Sequence, residues 1–245
     1  MNSKLSFVEN NIKMVDEALV EVYINKDKKV LFMCTPLNIK ELAVGHLIAR
    51  GIIKSVDEII SVKVIEEKLQ IFIEVKQYSE EKYSVPNIIL SGCSSATFSE
   101  EYYNMKAVQS DYSVDIKEVV ELSTRLVEEA ELYKLSGGVH GCAIETEDKG
   151  FCLREDIGRH NAVDKAIGLM HMKGYDLSNS IIASTGRISL DMILKAVAVN
   201  APIVTSLSVP SNLAVKLAEK LKITIIGRVK SHNPIVYTCK ERIRN

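Results

Sequence analysis

Residues 180–226 read SIIASTGRISLDMILKAVAVNAPIVTSLSVPSNLAVKLAEKLKITII. Apolar runs at 180–184, 203–207 and 224–226 have the length of buried strands, and the segments between them, 190–200 and 212–221, repeat their apolar residues at helical intervals. A last strand is expected at 235–238. Strands that alternate with helices run mainly parallel, with the helices covering the faces of the sheet. In such sheets ligands gather beyond the carboxyl ends of the strands. Three loops fall there: Thr185-Gly186-Arg187, Ser208-Val209-Pro210-Ser211 and the stretch 227–233, which holds Arg228, Lys230, His232 and Asn233. Each of these four side chains can donate a hydrogen bond, so the stretch suits a phosphate or a guanine-like base edge. It is equally the composition of an exposed basic turn.

Just before this half lies residues 154–165, Arg-Glu-Asp-Ile-Gly-Arg-His-Asn-Ala-Val-Asp-Lys. The segment is dense in charge, yet it follows a strand-like run, 150–153, and passes through Gly158 into a helical pattern over 162–172. Free backbone N–H groups at such a strand-to-helix junction, with Arg159 and Lys165 beside them, favour an anion, most simply a phosphate. The same residues also compose a surface ion-pair set of Arg154, Glu155, Asp156 and Arg159, with Asn161 as helix cap. Taken with Arg187 and the 227–233 loop, Arg159 and Lys165 point toward binding.

The N-terminal part, 1–85, reads as a smaller α+β unit. Residues 18–24 and 29–34 form a hairpin, 39–50 an amphipathic helix ended by Gly51, and 58–65 with 69–75 a second hairpin. A charged connection, 76–84, leads to Pro86. The larger unit, 86–245, opens with a short apolar strand, 87–90, that runs into Ser91-Gly92-Cys93-Ser94-Ser95-Ala96. A thiol on a Gly/Ser loop is accessible, and nearby N–H groups favour the reactive thiolate. Glycine and serine are also what a tight turn around a small buried cysteine uses. Residues 115–133 read as one long helix, broken by Ser136-Gly137-Gly138, and 139–146 with 150–153 form a hairpin. With that hairpin joined to the alternating half, the expected fold is α/β, a three-layer mixed sheet with helices on both faces.

Composition narrows the functional classes. The 31 basic and 32 acidic side chains leave a net charge of -1, so no global field recruits nucleic acid or an anionic membrane, and any anion site is local. No apolar run approaches the ~20 residues of a membrane span, and the first residues lack a signal-peptide pattern; a cytoplasmic location is expected. Cys34, Cys93, Cys142, Cys152 and Cys239 are widely spaced, without a Cys-x-x-Cys pair. A disulfide framework is not expected. Zinc would require convergence of distant residues such as His140, Cys142 and His160, or Cys152, and no structural metal is expected.

Ser136-Gly137-Gly138-Val139-His140, the 154–165 segment, Thr185-Gly186-Arg187 and the ending Tyr237-Thr238 together resemble the FdhD family, the formate dehydrogenase accessory sulfurtransferases. Residues 36–53, with Glu41-Leu42-Ala43-Val44-Gly45, are similar to that family's N-terminal half. The resemblance implies a cytidine-deaminase-like larger domain without that fold's zinc signature, and a homodimer. It implies a sulfurtransferase that accepts sulfur from a cysteine desulfurase as a cysteine persulfide. The sulfur passes to the molybdenum bis(molybdopterin guanine dinucleotide) cofactor, bound as substrate, before formate dehydrogenase uses it. Carried over residue by residue, the resemblance gives Cys93 the persulfide role. It gives cofactor binding to Arg228, Val229, Lys230, Ser231, His232 and Asn233, with Arg159, His160, Asp164, Lys165 and Arg187 as a supporting polar cluster. The chain departs from the family at Ala96, where many members have a second cysteine, and at Ser231 and Pro234 in the basic stretch. Two other classes compete: a guanine-nucleotide or cofactor-binding chaperone without chemistry, and a zinc nucleoside deaminase, although the deaminase histidine-x-glutamate and proline-cysteine signatures are missing.

Overall fold

A computed structural model describes residues 5–7, 13–26, 28–76 and 105–244. A short antiparallel pair, β1 (Leu5–Phe7) and β2 (Lys13–Val15), comes first. The expected hairpins follow as β3 (Ala18–Ile24) with β4 (Lys28–Cys34), and β5 (Ile59–Ile65) with β6 (Gln70–Val75), separated by helix α1 (Ile39–Ala49). They merge into one four-stranded sheet, ordered β4-β3-β6-β5, in which β3 and β6 run parallel. Side-chain alternation settles which face turns inward: Val20, Val22 and Ile24 are buried, as are Ile71, Ile73 and Val75. α1 lies against the inner side. Its residues are buried nearly all round, from Ile39 to Ala49, because a second layer covers its other face.

That layer belongs to the six-stranded sheet. Its elements in chain order are β7 (Val114–Asp115), α2 (Ile116–Glu129), α3 (Glu131–Ser136), β8 (His140–Thr146), β9 (Phe151–Asp156), α4 (Arg159–Met172), β10 (Ser180–Ser184), α5 (Leu190–Ala198), β11 (Ile203–Ser206), α6 (Asn212–Lys220), β12 (Thr224–Gly227), β13 (Ile235–Val236) and β14 (Ile243–Arg244). β7 and β14 pair with each other, and the remaining strands are ordered β13-β12-β11-β10-β8-β9. The sheet is mixed, as expected, but less parallel than the alternation alone suggests. Only β10, β11 and β12 run parallel, whereas β8, β9 and β13 are antiparallel to their neighbours. The cause is connection length: a short turn joins β8 to β9, and a turn that short permits only antiparallel pairing. Helices cover both faces. Ile181 and Ala183 pack with Leu122 and Leu126 of α2, while Ile182, Val204 and Ile225 pack with α4, α5 and α6.

Two helix boundaries differ from the sequence reading. The long helix expected over 115–133 is interrupted at Ala130, which is extended, and α3 restarts beyond it. A tertiary contact makes the break: the Glu155 carboxylate accepts from the N–H groups of Leu132 and Tyr133, at 3.1 and 2.7 Å, and so caps a new helix start. α4 begins at Arg159 after Gly158, so Asn161 is not its cap. The Asn161 amide instead donates to Met33 O at 2.9 Å and Asp156 Oδ1 at 3.0 Å.

α1 and α4 touch backbone to backbone. A Cβ built on Gly45 would lie 1.8 Å from Asp164 O, and one on Gly168 would lie 2.0 Å from Glu41 O. Glycine is required at both places by space alone, and this contact joins the two sheets' hydrophobic layers into one cluster that runs from Val20 to Ile225. Gly45→Ala and Gly168→Ala are each expected to lower unfolding free energy in urea by about 2 kcal/mol or more, from forced overpacking. Gly138→Ala, whose Cβ would meet nothing closer than 3.8 Å, is expected to stay near wild type.

Candidate functional site

The carboxyl ends of β10, β11 and β12 lie side by side because these three strands are parallel. β8 is antiparallel to β10, so its first residue, His140, reaches the same end. Thr185 ties the two together. Its N–H donates to Gly141 O at 3.0 Å, its hydroxyl accepts from Gly141 N at 3.1 Å, and His140 Nδ1 lies 3.2 Å from that hydroxyl. Ser206, at the end of β11, braces the loops on either side. Its hydroxyl donates to Gly186 O and accepts from Ser208 N, while its carbonyl accepts from Val229 N at 3.2 Å. Arg228 leaves β12 in the left-handed region, φ 54°, and its N–H donates to Ser208 O at 2.8 Å. The Thr185–Arg187 and Arg228–Asn233 loops are thereby fixed to one strand end.

Within the second loop the side chains divide. Arg228, Lys230, His232 and Asn233 are exposed and free to meet a ligand. Val229, expected among the cofactor-binding residues, is 1% exposed and packs in the core, so its side chain anchors the loop and only its backbone could face a ligand. Ser231 is half-buried, and its hydroxyl has no hydrogen-bond partner.

The 154–165 segment divides more sharply. Arg154 forks onto both carboxylate oxygens of Glu41 in α1. Asp156 and Lys165 are both wholly buried and paired with each other. Asp156 also accepts from Thr35 N at 3.1 Å and Gly158 N at 2.8 Å, and the Lys165 ammonium donates to Thr35 O at 2.9 Å. Asp164 is buried against Lys195, with His46 3.5 Å away. Burial raises the Asp164 carboxyl, but Lys195 and His46 outweigh it and hold the group down at about 2. The expectation that Lys165 and Asp164 line a ligand site is therefore corrected, because both charges are consumed inside the protein. The surface ion-pair alternative is corrected too, since the central pair is not at the surface.

Arg159 and Arg187 remain at the rim. The Arg159 stem crosses Gly186 so closely that a Cβ there would lie 2.9 Å from Arg159 Cβ. Its Nε is buried without a partner. Burial, and then the neighbouring Arg187 charge, press its guanidinium below the usual arginine range. Arg187 is exposed, and no ion pair holds it among the described residues. His160 Nε2 lies 3.3 Å from Ser189 Oγ and 3.6 Å from the Asp191 carboxylate, and burial takes its imidazole down to about 4. It is neutral at physiological pH and holds the start of α4 against the start of α5. His140 is likewise lowered, by burial and by Arg159. The roles of Thr185 and Ser206 were missed in the sequence; a hydroxyl residue at the carboxyl end of a strand is the signal that could have found them.

Four cysteines are described. Cys34, Cys142 and Cys152 are buried, and burial raises all three thiols, Cys34 and Cys152 to about 12 and Cys142 well above its usual value. Cys239 is partly exposed and raised by burial and Glu241. None of these four is a ready nucleophile. Cys93, with the strand expected at 87–90, lies outside the described residues. No group of three His, Cys, Asp or Glu side chains among the described residues is arranged to hold a metal ion, so His140, Cys142, Cys152 and His160 do not supply the zinc site a deaminase reading needs. No helix among the described residues is long and apolar enough to cross a membrane.

Comparison with known proteins gives this geometry its context. Residues 15–244 match the model of the FdhD/NarQ family. The chain belongs to that family. The sulfur carrier protein FdhD of Bacillus subtilis (strain 168) is 32% identical over 246 residues, which cover 98% of this chain and 93% of that protein. The sulfur carrier protein FdhD of Shouchella clausii (strain KSM-K16) is 30% identical over 235 residues, covering 93% and 88%. The fold is shared with a Desulfotalea psychrophila crystal structure assigned as a formate dehydrogenase accessory protein, at TM-score 0.79 and 24% identity over 98% of this chain and 97% of that one. In this FdhD/NarQ chain the buried and rim charges should respond differently to substitution. Lys165→Ala leaves Asp156 buried without its partner and is expected to cost about 3–5 kcal/mol of unfolding free energy. Arg187→Gln is expected to stay within about 0.5 kcal/mol of wild type by the same denaturation measurement.

Proposed function

We propose that this chain is a sulfur carrier that takes persulfide sulfur from a cysteine desulfurase onto Cys93. It then presents that sulfur to molybdenum bis(molybdopterin guanine dinucleotide), bound as substrate, for formate dehydrogenase. Family membership and the relatives named as sulfur carriers support the class of activity. One observation carries the choice of residue. Of five cysteines, the four described are all raised away from the thiolate, three of them by full burial, which leaves Cys93 in its Ser-Gly-Cys-Ser-Ser run.

The chemistry asks little of the protein beyond access and charge. The Cys93 thiolate attacks the outer sulfur of the donor persulfide, the donor's S–S bond breaks, and the donor leaves as a thiolate while a new S–S bond forms on Cys93. The substrate then needs holding by a surface that tolerates its diphosphates and reads its guanines. Exposed Arg228, Lys230, His232 and Asn233 offer donors for both, with Arg159 and Arg187 one loop away. The homodimer, the cytoplasmic location and the likeness to the cytidine-deaminase fold belong to the same reading.

A Cys93→Ala variant tests it. The variant is expected to fold and to bind guanosine diphosphate, to acquire no sulfur from a desulfurase supplied with cysteine, and to leave formate dehydrogenase at the activity seen with no accessory protein. Full activation by the variant would reduce the chain to a cofactor-binding chaperone without chemistry.

A further inference from the structure

We propose that His46 and His160 make the junction of α1, α4 and α5 an acid-sensitive latch: protonation of either imidazole loosens α4 from its neighbours, and with it the rim that carries Arg159 and Arg187. The inference goes beyond the sulfur-carrier reading and does not depend on which ligand the rim meets.

The junction is a closed set of charges. Asp164 of α4 is paired with Lys195 of α5, and His46 of α1 lies 3.5 Å from its second oxygen. Asp191 of α5 is met by Arg50 of α1 at 3.3 Å, by Lys195 at 3.7 Å and by His160 of α4 at 3.6 Å. Both aspartates and the Lys195 side chain are 2% exposed, and the two imidazoles 13% and 15%. With the histidines neutral, the two acids balance the lysine and the arginine. A proton on either imidazole leaves an uncompensated positive charge where water scarcely reaches, and burial penalises it.

Asp191 is poorly placed to absorb that charge. It already faces two cations, its three contacts are all longer than the ~2.8 Å of a well-made charged hydrogen bond, and its Oδ1 is buried without a hydrogen bond. Turning it toward an imidazolium slackens its hold on Arg50, and so on α1. Arg159 of α4 and Lys195 add further positive charge around His160, with Asp164 opposing them. From β4, Phe32 stands edge to face with His46, ring centroids 4.8 Å apart. β8 contributes the buried Cys142 thiol, which is raised well above its usual value and stays uncharged in acid.

Burial is accordingly the largest influence on both imidazoles. It lowers His46 against the pull of Asp164, and it takes His160 down to about 4. Each histidine therefore favours the closed junction while neutral. That contribution is complete above 6.5, the ordinary imidazole value, and is lost as pH falls from there toward the folded value. The Asp164 carboxyl, held at about 2, stays charged through this window. Releasing His160 from about 4 to 6.5 favours an open junction roughly 30-fold at pH 5 and barely at pH 7.5.

Amide hydrogen exchange of the full-length chain, read by mass spectrometry at pH 7.5 and pH 5 and corrected for the intrinsic pH dependence of exchange, tests the latch. Protection of peptides covering α4 and α5 is expected to fall about tenfold or more on acidification. Protection of α6, which holds no member of the charge set, is expected to fall less than about threefold. His160→Gln keeps a hydrogen-bonding nitrogen near the place of Nε2 but takes up no proton, and is expected to remove most of the fall. His46→Asn, the counterpart for Nδ1, is expected to remove part of it. A measurement on the unsubstituted chain stands in for any variant that does not fold: exchange of the imidazole C2 hydrogens, resolved by peptide, gives the protonation midpoint of each histidine. Those of His46 and His160 are expected well below 6.5. Midpoints near 6.5 for both, a uniform loss of protection across all helices, no loss at pH 5, or an undiminished loss in both variants overturns the latch.

Discussion

The buried ion pair between Lys165 and Asp156 is the constraint on which the rest of the structure depends. An ammonium and a carboxylate with no exposure are tolerable only when each is fully hydrogen-bonded. Thr35 satisfies both: its N–H donates to Asp156, its carbonyl accepts from Lys165, and its hydroxyl accepts from Ile157 N at 3.1 Å. One residue of the N-terminal sheet's exit is thus bonded to the end of β9 and to the middle of α4. The glycine contact between α1 and α4 completes the joint, and the Arg154–Glu41 fork closes its edge. Such a pair adds little net stability over an apolar equivalent, but its geometry admits a single register of strand, turn and helix.

That register determines where the free charges emerge. Asp156 accepts from Gly158 N, which sets the turn and starts α4 at Arg159. The basic residues of the segment are then sorted by helical position: Lys165 faces inward to the joint, and Arg159 faces the strand end. Every acid in the segment is already occupied, Glu155 at the start of α3, Asp156 by Lys165, Asp164 by Lys195. The result is a molecule of almost no net charge with a local excess of cations beside one set of loops. The site's positive character comes from the placement of acids away from it rather than from an abundance of bases.

Local pattern explains what was legible in the sequence. Valine, isoleucine and aromatic content around a polar turn marked the first N-terminal hairpin, period-two alternation marked the second, and helical spacing marked α1, α4, α5 and α6 to within a few residues. The misreadings share a cause. The break between α2 and α3 depends on Glu155, more than twenty residues away, and the burial of Lys165 depends on Thr35, at a separation of 130 residues. No window of local sequence contains such partners. The antiparallel β8–β9 flank of the main sheet was implicit in the expected 139–153 hairpin, whereas the antiparallel pairing of β13 with β12 at the other edge was not. At the 227–233 loop, composition identified the donors but not that Val229 is the anchor holding them out.

The framework buries Cys34, Cys142 and Cys152 and half-buries Cys239, all with raised thiols, and Cys93 is the residue proposed to carry sulfur. Peptide mapping by mass spectrometry, after the unsubstituted protein is incubated with a cysteine desulfurase and cysteine, examines all five thiols at once. The account requires an added sulfur on the peptide containing Cys93 and none on those containing Cys34, Cys142, Cys152 or Cys239. An adduct on any of those four, or a Cys93 peptide that stays unmodified while the desulfurase is active, contradicts it.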